Sequence, residues 1–473
     1  MLATSLGSLV LLVTRTLPAE VPQIPCLTQG YRGSSSTGSY AFYVTDLTCT
    51  TDASSFLEGG QIIPMETDAQ TQLVWFEQVA VDASLQRSFH LGLDVETIMK
   101  SFVISSSTEG EQLVMNYPSP TVEVLRQSEG SVLARMDRQV AQRVDAYLPP
   151  YWKSTLLPDS PSPFVPVPAP AVGRVKDLLK RVKFDPIIAN IVNKISIPQM
   201  KKDIRFLTGE DAESPIVSRH SFSDGVLIAA DWLKARFEET GARCELKEFL
   251  EGFAPNVICL YPSTVNTTET ILLSSHYDSR GSFGSTRAPG GDDDGSGTVG
   301  LLSIARTIGA TGLKFKKNVQ FVTFAGEEQG LLGSKAYARE LREADADLVL
   351  MIQADMTGYR KPGEPLQLGL PATIGTAEVA QLIANISALY SPELTVGITT
   401  ACCSDHQSFH EQGYPATQVF ERAGPIADPM YHNSGDVSER EGYDFEQITA
   451  IARVEFAALL HAAEFDLPKH HDH

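Results

Sequence analysis

The sequence predicts an α/β fold, a mixed but mostly parallel sheet sandwiched by helices, preceded by a small, mostly β N-terminal domain. Three observations carry this. In the C-terminal half the largely apolar runs Thr270–Ser275, Asn318–Phe324 and Leu348–Gln353 alternate with helical patterns at Thr298–Ile308 and Leu331–Leu341. Strands lacking a polar face need cover on both sides, which is the situation of a parallel sheet between helices. Upstream, Tyr40–Thr45, Leu73–Val79, Ser101–Ser105 and Leu113–Tyr117 alternate with a period of two between polar turns, as half-buried strands do. Between these regions eight prolines fall within residues 148–172, which disfavours helix and sheet and predicts an extended spacer.

Taken in order, residues 1–20 open with the apolar run Leu9–Val13 and read as a secretory signal peptide, although no basic residue precedes it. Residues 21–147 form the β-rich domain or prosegment. It ends in a helical pattern, Val132–Tyr147, that stops before Pro149. After the spacer, residues 173–194 carry apolar positions at helical spacing beneath a basic face and make a linking helix. That helix contains Lys180-Arg181, a candidate processing pair. Residues 195–468 form the main domain, and 469–473, with three histidines, a flexible tail.

The chain has 473 residues, enough for two or three folding units. Its 58 acidic against 38 basic residues give a net charge of −20, which repels phosphate backbones and excludes nucleic acid as an expected partner. No run reaches the roughly 18–20 apolar residues of a membrane helix. Six cysteines suit an oxidising compartment, with Cys26–Cys49 and Cys244–Cys259 as the local pairings. The neighbours Cys402 and Cys403 form either a vicinal bridge or two buried thiols. Asn266 and Asn385 fit the glycosylation acceptor pattern.

Chemistry concentrates in the main domain. In an open parallel sheet the carboxyl ends of the strands line one crevice. His276 follows the first strand, Glu327 and Glu328 the second, and Asp355 closes the third. A Gly-rich turn presents Asp292-Asp293-Asp294, which serves either as a ligand source or as the acidic start of a helix. Asp278, two residues beyond His276, suits an orienting carboxylate. With His432, the set gives each of two zinc ions one imidazole, one carboxylate and a shared bridging aspartate. One glutamate of the Glu327-Glu328 pair then stays free as a general base.

Five blocks, His276-Tyr-Asp, Ala288–Gly297, Ala325–Gly330, Ala354–Gly358 and Tyr431–Asp436, resemble in order and spacing the M28 family of co-catalytic zinc aminopeptidases in its secreted style. The resemblance covers roughly residues 195–468 and implies the zinc exopeptidase fold, two Zn²⁺ per chain and a peptide substrate. It further implies His276, Asp293 (bridging), Glu328, Asp355 and His432 as ligands, Glu327 as general base, Asp278 supporting His276, and Met356 lining an apolar, Leu-selective pocket. A tyrosine that some members carry before the Ser404-Asp405-His406 block is missing from Thr399–Cys403. His406 is expected to be structural. The implied product is a secreted, extracellular metallo-exopeptidase, expected as a monomer. The alternatives are a single-zinc glutaminyl cyclase-like enzyme, a carboxypeptidase in which Arg280 or Arg287 grips the substrate carboxylate, and a catalytically dead receptor domain.

Overall fold

The computed structural model describes residues 9–15, 24–35, 39–49, 60–65, 70–86, 122–128, 130–282, 285–401 and 403–468. They fall into two compact units, one from Met1–Val79 and His90–Pro166, the other from Ala80–Phe89 and Val167–His473.

The first unit holds two four-stranded antiparallel sheets. One runs β2 (Tyr31–Ser34), β3 (Ala41–Asp46), β1 (Leu9–Thr14), β4 (Gln61–Pro64). The other runs β6 (Val122–Ser128), β7 (Ser131–Asp137), β5 (Thr71–Gln78), β8 (Trp152–Leu156). Leu11, Val13, Phe42, Trp75 and Leu133 form a core shared by both sheets. The mostly β expectation holds, and Cys26 pairs with Cys49 across 23 residues. The apolar run read as a leader is here β1, an interior strand paired with β3 and β4. Its removal would leave those two strands without their common neighbour.

Two expectations differ. The helix over Val132–Tyr147 is instead strand β7 followed by one helical turn, Arg138–Ala141, and a 3₁₀ turn, Val144–Tyr147. Because β7 lies between two strands and is buried along most of its length, its apolar residues do not alternate, and periodicity cannot separate such a run from a helix. Asp137 then accepts the amides of Gln139 and Val140 and starts the short turn. Within the spacer, the proline-free stretch Trp152–Leu156 forms β8 against β5. Ser101–Ser105 and Leu113–Tyr117 lie outside the described residues, as does the 469–473 tail.

In the second unit the strands β9 (Arg243–Lys247), β10 (Asn256–Tyr261), β11 (Thr270–His276), β12 (Asn318–Phe324), β13 (Leu348–Ala354) and β14 (Ala416–Val419) form one sheet, ordered β14-β13-β11-β12-β10-β9. The first four are mutually parallel, and β10 runs antiparallel to both β12 and β9. Helices α1 (Ala169–Arg181), α2 (Pro186–Val192), α3 (Ile197–Leu207), α4 (Asp224–Glu238), α5 (Gly295–Thr311), α6 (Leu332–Glu343), α7 (Ala377–Tyr390), α8 (His406–Glu411) and α9 (Phe445–Ala463) flank it. Period-two geometry sends Ile271, Leu273, Leu350 and Ile352 into the larger core with α5 and α9, and Leu272 and Met351 into a second core with Tyr337 and Phe409. Burial on both faces explains why these strands read as continuous apolar runs. The disulfide Cys244–Cys259 joins directly paired positions of β9 and β10.

The segment Ala80–Gln86 also belongs to this unit: Val81 pairs in parallel with Ile426, and Asp82 accepts from Lys361 (2.9 Å) and Arg422 (3.1 Å). Lys180-Arg181 forms the last turn of α1, with Lys180 bonded to Asp177. Among the described residues no helix is long and apolar enough to cross a membrane.

Candidate metal centre

The carboxyl ends of β11, β12 and β13 meet at one edge of the sheet. His276, the last residue of β11, is in register with Phe324, the last of β12, so the turn Ala325–Gly330 begins beside the imidazole. Gly326 and Gly330 take positive φ angles of 69° and 111°, a conformation glycine adopts without a Cβ clash, and the turn folds back to start α6. Asp355 follows directly on β13. Met356 and His432 hold φ of 52° and 53°, a left-handed backbone that costs a non-glycine residue free energy and persists where its surroundings over-determine it.

The structure brings all five candidate ligands together. His276 Nε2 lies 3.2 Å from Asp293 Oδ1 and 3.7 Å from Asp355 Oδ2. His432 Nε2 lies 3.3 Å from Asp293 Oδ2 and 3.0 Å from Glu328 Oε2. Two triads result, His276–Asp293–Asp355 and Asp293–Glu328–His432, each compact enough to share one cation, with Asp293 common to both. Glu327 Oε2 is 4.0 Å from His276 Nε2 and belongs to neither triad.

The donor set fits metal. His276 Nε2 and both carboxylate oxygens of Glu328 are buried without a hydrogen-bond partner, an arrangement that is costly unless something else satisfies those atoms. Two imidazoles and three carboxylates are the ligand types zinc takes. Burial alone would lower His276, but the charge of Glu327 and the close carboxylates of Asp278, Asp293 and Asp355 outweigh it and raise the imidazole well above its usual range. His432 is raised against burial chiefly by Glu328. Burial would raise Asp293, yet the imidazoles of His276 and His432 beside it hold it below the usual carboxylate range.

The aspartate triplet divides its labour. Asp294 is the N-cap of α5, accepting from Gly297 N (2.9 Å), and it also accepts the amides of His276 (3.1 Å) and Met356 (3.2 Å). Asp292 accepts from Gly358 N (2.8 Å). Only Asp293 faces both imidazoles. The helix-start reading holds at Asp294, while Asp293 stands where a ligand source would.

Asp278 does more than its spacing suggests. Its carboxylate is 3.6 Å from His276 Nδ1, whereas its own backbone carbonyl is closer, at 3.2 Å. The carboxylate also accepts from Ser221 Oγ (2.9 Å) and from the amides of Glu327 (3.3 Å) and Glu328 (3.4 Å). It thus ties the glutamate turn to the histidine strand. Arg280 is buried with Nη1 2.8 Å from His432 Nδ1, and Arg287 is exposed. Met356 is buried, and its carbonyl accepts from Glu421 N. His406 Nε2 lies 3.2 Å from Ile374 O, and burial lowers the ring to about 3. Cys403 is disulfide-bonded, and Cys402 lies outside the described residues.

Sequence reasoning missed three supports. Asp436 accepts the amides of Asp292 (2.9 Å) and Asp293 (3.1 Å). Arg440 pairs with both Asp436 (2.9 Å) and Asp428. Arg219 is wholly buried behind the triplet. Asp436 stands inside the last motif block, which was its one legible signal. Arg219 and Arg440 have none, because a buried arginine looks like a surface one in sequence.

Comparison with known proteins agrees with this geometry. Residues 256–457 match the model for peptidase family M28. A probable leucine aminopeptidase of Arthroderma otae is 30% identical over 293 residues, spanning 58% of this chain and 72% of that protein. The chain belongs to peptidase family M28. Leucine aminopeptidase 1 of Sclerotinia sclerotiorum is 28% identical over 307 residues, 58% of this chain and 76% of that one. The solved LapA aminopeptidase of Legionella pneumophila shares the fold with a TM-score of 0.59 at 16% identity, over 83% of this chain and 98% of that chain. As an M28 peptidase the protein is a metallo-exopeptidase with the zinc exopeptidase fold, and the glutaminyl cyclase and carboxypeptidase alternatives are not favoured.

Proposed function

We propose that this chain is a secreted di-zinc aminopeptidase that hydrolyses the N-terminal peptide bond of peptides with a Leu-like preference. The observation that carries the proposal is the single Asp293 carboxylate set between His276 (3.2 Å) and His432 (3.3 Å), with Asp355 and Glu328 completing a triad on either side. His276, Asp293 and Asp355 would hold one ion, and Asp293, Glu328 and His432 the other. Bound there, zinc supplies Lewis acidity that polarises a carbonyl and acidifies water.

The chain's own groups do the rest. Glu327, outside both triads, takes a proton from the attacking water as its oxygen adds to the scissile carbonyl carbon. The same carboxyl then gives that proton to the departing nitrogen as the C–N bond breaks, which regenerates the carboxylate. Asp278 fixes the amides of Glu327 and its neighbour, so the base stays aimed. The acidic cage favours a substrate's free ammonium terminus and so supports cleavage from that end. An apolar pocket lined by Met356, which follows directly on Asp355, would suit Leu-like side chains, and the relatives named leucine aminopeptidase support that preference. The disulfides Cys26–Cys49 and Cys244–Cys259 and exposed acceptor asparagines at 266 and 385 support export.

Glu327→Gln tests the base. The variant should keep its zinc while kcat falls about 100-fold or more. A near-parental rate in zinc-loaded Glu327→Gln would remove Glu327 from the mechanism.

A further inference from the structure

Arg219 is among the largest side chains fully enclosed in the protein, at 0% exposure. Among the described residues its guanidinium pairs with no carboxylate. Instead Nε donates to Tyr277 O (2.8 Å), Nη1 to Leu207 O (2.9 Å) and to Pro289 O, and Nη2 to Gly290 O (2.8 Å). Its backbone extends the same grip, with Arg219 N donating to Ala288 O (3.0 Å) and Ser279 N donating to Arg219 O (3.1 Å). Enclosing a cation costs several kcal/mol unless its donors are satisfied, so four main-chain acceptors at one guanidinium mark an organised site.

The partners are informative. Tyr277 lies between His276 and Asp278. Pro289 and Gly290 open the turn that delivers Asp293, and Gly290, at a positive φ of 55°, has no Cβ to crowd Arg219 Nη2, which would otherwise lie 2.9 Å from it. Leu207 O is the last carbonyl of α3. The fork therefore spans the two segments whose spacing sets His276 against Asp293. Only a planar guanidinium with five donors can reach them at once; an ammonium is a point charge. Burial lowers this group to about 10, while Asp436, Asp294 and Asp278 favour its charged form, so it remains a fixed cation at neutral pH behind an acidic cage.

We infer that Arg219 is a positioning residue of the metal centre, whose guanidinium fork holds the His276–Asp278 strand end and the Pro289–Asp293 turn at the separation the two-cation site requires. The inference rests on the di-zinc proposal.

The test is zinc affinity of the full chain, read by chelator competition alongside thermal unfolding. Arg219→Lys, which keeps the charge and loses the fork, should bind zinc roughly 10- to 100-fold more weakly. Arg219→Ala should show the same defect and recover part of its affinity in millimolar guanidinium but not in equal methylammonium. Parental zinc affinity in folded Arg219→Lys, or equal rescue by both cations, would overturn the inference. Should neither variant fold, Ser279→Ala carries the test, because it removes the hydroxyl bond to Ala288 O (2.8 Å) in the same turn. About fivefold weaker zinc binding, the worth of one hydrogen bond, is then expected, and unchanged affinity would contradict the role. A parent chain that binds no zinc defeats the di-zinc proposal itself, whereas a parent that binds it as tightly as its variants do defeats only the role of Arg219.

Discussion

Single residues in this protein often hold more than one segment at once. Asp278 faces the His276 ring while accepting the amides of both glutamates, so Asp278→Asn, which swaps an acceptor oxygen for a donor, should lower zinc affinity or kcat roughly 10- to 100-fold. Parental kinetics and metal affinity in that variant would restrict Asp278 to a bystander. A different residue governs pH. Glu455 is buried in α9 with Oε1 unpartnered, and burial raises it from 4.5 to about 8. Between those values the unfolded chain releases this proton while the folded one keeps it, so the stability conferred by the neutral acid is complete below about 4.5 and is lost as pH rises through about 8. Glu455→Gln should therefore raise stability near pH 8 by roughly 4 kcal/mol and change little near pH 4. Denaturant melts at both values check this, and equal effects at both would contradict it. His276, Asp293, Glu328, Asp355 and His432 were legible because their motif spacing survives in one dimension. Arg219 and Arg440 were not, since burial of a charged side chain depends on partners distant in sequence.

At the scale of elements, the site is made by where strands stop and how α5 starts. The strand ends of β11, β12 and β13 were readable because strands buried on both faces leave uninterrupted apolar runs. The same physics misled at β7, where a short apolar run serves equally as an interior strand or a helix core. The α5 start depends on Gly297: a Cβ there would come within 2.8 Å of Ala354 O and against the Asp294 carboxylate. Because Asp294 binds the amides of His276 and Met356, Gly297→Ala should destabilise the fold by about 1–3 kcal/mol and weaken zinc binding in the same protein. Unchanged melting and zinc affinity would show that the close approach relaxes without cost.

At the scale of the molecule, the second unit incorporates Ala80–Gln86, a segment that precedes the proline-rich stretch by some sixty residues, and sequence gave no warning of it because a two-residue pairing has no pattern. Covalent staples matter at this scale. Cys244–Cys259 closes a loop with a sequence separation of 15, for which chain entropy predicts about 3 kcal/mol of stabilisation. The double variant Cys244→Ser/Cys259→Ser should lose a comparable amount in denaturant unfolding while retaining the zinc site, since neither sulfur touches it, and an unshifted midpoint would refute the staple. The central claim remains the pair of cation sites joined by Asp293. Elemental analysis of fully active protein, titrated from the metal-free state with zinc while peptide hydrolysis is followed, tests it most directly. Two zinc ions per chain, with Asp293→Ala weakening both, is the predicted result; full activity at one zinc per chain or none would contradict it.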